Sequence, residues 1–124
     1  MPTILCIDDS TFGLCYVVKW LNRNGYYVLA AADRATALAI AGERPISAVL
    51  LSCHRDLDNP SFIAALRDLQ PGIAVIMLSG YCGVPCRRLG LADARIEKGD
   101  PALLMTLRAV LCQRQYGLCR SLSA

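Results

Sequence analysis

The chain has 124 residues, 55% of them apolar, with 13 basic and 10 acidic side chains and a net charge of +3. That length supports one domain around one core, and no apolar run reaches the about 18 residues needed to cross a bilayer. The basic residues are scattered along the chain, which argues against a nucleic-acid partner. The opening MPTILCIDDS places acids where a secretory signal needs an apolar stretch, so a cytoplasmic chain without a membrane anchor is expected.

Residues 3–7 (TILCI) are short, apolar and β-forming, and predict a buried strand. Ser10 is suited to cap a helix over about 11–23, with Leu14, Val17, Val18 and Leu21 at helical spacing. Asn24-Gly25 closes that helix. A second strand is expected over 26–31 and a helix of small residues over 34–43, ended by Arg44-Pro45. The third strand, 46–52, finishes on Ser52 and is followed by the loop CHRDLDNP. A helix over about 61–69 comes next, with Phe62, Ile63, Leu66 and Leu69 on its inner side. Residues 73–78 (IAVIML) are apolar throughout, as in a strand covered on both faces. SGYCGVPCRRLGL holds at most a short helix, and 92–97 is a weak fifth strand. Asp100 can cap a last helix over about 101–114 with Pro101 at its first position, and a frayed tail is expected from about 116.

Strands alternating with helices imply a parallel sheet covered on both sides, in a single domain over 1–124. In such sheets ligands bind beyond the carboxyl ends of the strands. Those ends carry Asp8 and Asp9, Ser52, Ser79 and Lys98.

At these residues the chain resembles the receiver domains of two-component response regulators. The resemblance runs from ILCIDDS through NGYYVLAAADRATALAIAGERPISAVLL and PGIAVIMLSGY to ADARIEKGDPALL. It implies a doubly wound, flavodoxin-like sheet of five strands in the order 2-1-3-4-5. It also implies phosphoryl transfer from a histidine kinase to an aspartate ending the third strand. Asp8 and Asp9 match the acidic pair that holds Mg²⁺, Ser79 the hydroxyl residue that senses the phosphoryl group, and Lys98 the lysine that pairs with it.

The pattern breaks at Ser52, which falls on the phosphoacceptor. Arg95 stands where the family has a switch aromatic, Gly99 where it has a proline, and Asp56 where another proline is common. About one helical turn is missing between Ser79 and Lys98. A serine hydroxyl must lose a proton to attack, so it needs a base that an aspartate does not. With one of three carboxylates gone, Mg²⁺ binding at Asp8 and Asp9 is expected to be weak or lost, and Lys98 is expected to pair with one of them.

The expected function is therefore a non-enzymatic, degenerate receiver that acts through protein contacts without aspartyl phosphorylation. Its expected partners are a histidine kinase, a phosphotransfer protein or another signalling protein. One alternative is a Mg²⁺-dependent receiver phosphorylated on Ser52 or another acceptor. Another is a redox or metal sensor, using seven irregularly spaced cysteines or the set Cys53, His54, Cys82 and Cys86. Two partner surfaces are suggested: Tyr16 and Trp20 on the first helix, and a self-association face around Leu104 and Leu111 on the last.

Overall fold

The computed structural model describes residues 2–52, 60–79 and 92–123, with side chains left out at residues 11, 12, 79 and 114–123. The elements run β1 (Thr3–Ile7), α1 (Thr11–Arg23), β2 (Tyr27–Ala31), α2 (Arg34–Glu43), β3 (Ala48–Ser52), α3 (Pro60–Leu69), β4 (Ala74–Ser79), β5 (Ala94–Glu97) and α4 (Leu103–Ser123). All pairings are parallel and the strand order is β2-β1-β3-β4-β5. The expected sheet order is thus observed. The short helix expected between β4 and β5 falls outside the described residues, as do Cys53, His54, Asp56, Cys82 and Cys86.

The local signals act as their chemistry requires. The Ser10 side chain accepts from the N–H of Gly13, and Asp33 does the same for Thr36 at the start of α2. That backbone hydrogen bond, 2.7 Å long, holds the exposed Asp33 carboxyl below the usual carboxylate range. Gly25 takes φ +88° just past the Asn24 cap, a conformation open to glycine at little cost. The last helix departs from expectation at both ends. Asp100 caps the turn through Ala102, Pro101 stays in that turn, and α4 begins at Leu103. Its helical backbone continues to Ser123, through the segment read from sequence as a tail from about 116. No proline interrupts that stretch, which continues a helix rich in Leu, Arg and Gln.

Side-chain alternation divides the core in two. Leu5, Ile7, Val49, Leu51, Val75 and Met77 face α2 and α3. Ile4, Cys6, Ala48, Leu50, Ile76, Leu78 and Ile96 face α1 and α4. β3 and β4 are apolar up to their terminal serines because both faces are covered. On α2 the residues turned inward are Ala37 and Ala41, which let that helix lie close to the sheet.

A residue that the sequence did not single out ties three of these elements together. The Gln70 amide donates to the carbonyls of Ala41 (2.8 Å) and Arg44 (2.5 Å), and its oxygen accepts from the N–H of Ile46 (3.1 Å). One side chain so satisfies the end of α2 and the approach to β3. Gln70→Ala is expected to lower unfolding stability by about 1–3 kcal/mol, because partly buried backbone groups lose their partners. Urea denaturation of the two chains checks this.

Candidate functional site

Strand parity builds the site. Residues 4, 6 and 8 of β1 and its extension, 48, 50 and 52 of β3, and 94, 96 and 98 of β5 and its extension share one side of the sheet. Asp8, Ser52 and Lys98 therefore emerge together at the carboxyl edge, on the side covered by α1 and α4. The Lys98 ammonium lies 2.9 Å from Asp8 Oδ2, while Asp8 Oδ1 accepts the N–H of Ser10 at 2.9 Å. The Asp8 side chain is 8% exposed and that of Lys98 25%, so the pair is only partly screened by water. Asp9 is exposed.

Ser52 is 1% exposed, and its hydroxyl has no hydrogen-bond partner among the described residues. Beside it, between Asp8, Leu14, Leu50 and Leu78, is a cavity of about 10 Å³, the size of a single water site. Gly13 allows α1 to approach here: a Cβ at that position would stand 3.2 Å from Asp8 Oδ2. The sequence offered a faint signal for this, a glycine three residues after the helix cap.

The remaining expected site residues are placed differently. Ser79 ends β4 beside Glu97 of β5. Arg95, where a switch aromatic was expected from the resemblance, lies beside Met77 in the sheet and is exposed. Gly99 adopts φ +85° in the turn after Lys98. Proline holds φ near −65°, so this turn is wound in a way that the family's proline could not follow.

The donor set was tested against the divalent ion that the resemblance implies. Mg²⁺ prefers hard, anionic oxygens. Here one oxygen of the more buried carboxylate already meets an ammonium, and the third expected carboxylate is a neutral hydroxyl. This arrangement suits a built-in cation better than a divalent one. Among the described residues, no group of three or more His, Cys, Asp or Glu is placed to hold a metal. Cys6 is buried, and burial together with the neighbouring Asp8 charge pushes its thiol up to about 12, so it is an inert core residue.

Comparison with known proteins agrees with the fold. No family model matches the chain. The transcriptional regulatory protein PrrA of Mycobacterium tuberculosis is 33% identical over 91 residues, covering 73% of this chain and 39% of that protein. The PrrA of Mycobacterium leprae matches to the same extent. The chain thus spans about two fifths of the length of these curated relatives. The crystal structure of a CheY-like response regulator receiver domain protein from Methanospirillum hungatei superposes with a TM-score of 0.82 at 26% identity. That match covers 94% of this chain and 98% of the other. NtrX from Brucella abortus gives 0.83 at 26% identity, covering 99% of this chain and 29% of that one.

This chain is a response-regulator receiver domain of the CheY-like type. In this receiver Asp8 and Asp9 follow β1, Ser52 ends β3, Ser79 ends β4 and Lys98 follows β5.

The two suggested partner surfaces differ in the receiver's structure. On α1, Tyr16 is 62% exposed, while Trp20 is half-buried and packs on the core. Leu104 and Leu111 are half-buried and pack on the core, so the broad exposed apolar face expected around them is not what α4 presents. Among the described side chains of α4, the exposed large apolar residue is Met105, at 75%. A heptad pattern gives an apolar stripe but not its rotation, which packing against β4 and β5 sets. Among the described residues, no helix is long and apolar enough to cross a membrane.

Proposed function

We propose that this receiver signals through protein contacts made by its resting fold, with neither aspartyl phosphorylation nor catalysis of its own. The observation that carries the reading is the end of β3: a buried, neutral Ser52 hydroxyl occupies the acceptor position, and the neighbouring Lys98 is engaged by Asp8. A serine there needs a general base to become nucleophilic. The carboxylate that lines the same small cavity, Asp8, is already engaged by an ammonium ion and a backbone N–H. Mg²⁺ is not part of this reading, because its charge is supplied by Lys98.

The partners that fit are signalling proteins: a histidine kinase, a phosphotransfer protein or an effector. The α1 surface is favoured over self-association through Leu104 and Leu111 because Tyr16 is 62% exposed there, whereas Leu104, Leu111 and Trp20 all pack on the core. Incubation with acetyl phosphate and Mg²⁺ tests the reading. The intact mass is expected to stay unchanged, and beryllofluoride is expected to leave the spectra of the protein unperturbed. A phosphate mapped to Ser52 would instead support the phosphorylatable alternative.

A further inference from the structure

The two edges of the sheet differ in chemistry. β5 closes one side and carries Arg95 and Glu97, exposed charges of the kind that blunt an edge. β2 closes the other side with YVLAA, a run without charge or proline. The N–H of Tyr27 donates to the carbonyl of Pro2, and the carbonyl of Ala31 accepts from the N–H of Asp8. Alternate residues of a parallel strand bond to the same neighbour. Tyr27, Leu29 and Ala31 therefore serve β1, and the N–H and C=O groups of Val28 and Ala30 point away from the sheet.

The helix beside this edge is equally bare. α2 packs on the side of the sheet that holds Leu29 and Ala31. Between Arg34 at its start and Glu43 at its end it carries no charge, and Ala35 and Ala39 are exposed. A helix with so little polar surface suits a covered position. Arg34 and Glu43 are exposed and form no ion pair among the described residues.

We infer that two copies of this chain join through β2, antiparallel about a two-fold axis at Leu29, into one continuous sheet. The contact is isologous, each copy offering the same strand. Val28 of each copy lies opposite Ala30 of the other, and each such pair exchanges its outward N–H and C=O groups. Leu29 meets its own copy. Tyr27, 47% exposed, lies opposite the small side chain of Ala31. No like charges oppose one another in the strand pair. The same axis reverses α2, so Arg34 comes toward Glu43 of the second copy at either end of the helix pair. This charge complementarity favours a second copy over a foreign strand, which would pair with β2 but leave α2 uncovered. The inference concerns assembly and does not depend on the acceptor position, so phosphate gained from acetyl phosphate would leave it standing.

Sedimentation of the native chain, with amide exchange followed by NMR, tests the inference. A dimer is expected to form as the concentration rises, and exchange at Val28 and Ala30 is expected to slow with it by about tenfold or more. Leu29 and Ala31, bonded to β1 in either state, are expected to stay protected throughout. Ala30→Lys places a charge at an exposed position of the edge and is expected to weaken the dimer by about tenfold. Glu43→Arg sets Arg34 against a like charge and is expected to weaken it as well. Adding Arg34→Glu to that change reverses both charges, and the dimer is expected to return. Both changes favour the dipole of α2, and circular dichroism verifies that the fold is retained.

A monomer at every concentration overturns the inference. So does a dimer in which Val28 and Ala30 exchange as fast as in the monomer. A dimer indifferent to Glu43→Arg, or weakened by it and not restored by the added Arg34→Glu, overturns it too.

Discussion

Lys98→Met is expected to raise the affinity of the carboxyl edge for Mg²⁺ or Mn²⁺ by at least about tenfold. A unit charge at about 4 Å and an effective dielectric constant of about 20 is worth about 4 kcal/mol. A third of that is enough for the stated change, since about 1.4 kcal/mol corresponds to a factor of ten. Methionine keeps much of the lysine stem and removes the ammonium that lies 2.9 Å from Asp8 Oδ2. Without metal, the variant should lose about 1–3 kcal/mol of stability, because a mostly buried carboxylate is left without its cation. Added Mg²⁺ should return part of that loss by binding the folded state. Calorimetric titration, and urea denaturation with and without MgCl₂, measure the two effects. Unchanged metal affinity would show that Lys98 does not compete for the site. Ser52→Asp should strengthen metal binding by the other route, restoring a carboxylate instead of removing a cation.

Leu107→Ala should cost about 2–5 kcal/mol, the range for truncating a fully buried leucine into a cavity. Leu107 is 0% exposed and belongs to the core beneath α1 and α4. Domains of this kind are held by about 5–15 kcal/mol in all, so the urea midpoint should move far while the slope stays constant. Met105→Ala, two residues away on the same helix and 75% exposed, should stay within about 0.5 kcal/mol. Equal losses at the two positions would mean that α4 is rotated from the orientation described here.

Much of the fold was legible because its signals are local. The apolar runs of β1, β3 and β4, the Ser10 cap and the Asn24-Gly25 stop each act within a few residues. The strand ends placed Asp8, Asp9, Ser52, Ser79 and Lys98 at one edge, since parallel strands bring their carboxyl ends together. Three features were not legible. The Gln70 clamp joins groups 24 to 29 residues apart, and no local pattern marks a glutamine as a cap for another helix. The room that Gly13 leaves for Asp8 depends on how closely α1 approaches β1. The length of α4 was underestimated because a polar, arginine-containing stretch has helix propensity but no amphipathic stripe to announce it.

By itself, the sequence determined the alternation of elements, the parity of each strand and the chemistry of the acceptor position. A hydroxyl where a carboxylate was expected is a covalent fact that no packing can alter. Tertiary structure alone decided which carboxylate Lys98 takes. Asp8 and Asp9 are adjacent in sequence, but Asp8 turns to the side of the sheet where Lys98 emerges 90 residues later, while Asp9 is exposed. It also decided that Met105 faces water while Leu104 and Leu111 lean on the core. Local propensity acts through neighbours a few residues apart. The rotation of a helix and the sharing of a face are set by long-range packing, which appears only once the sheet has closed.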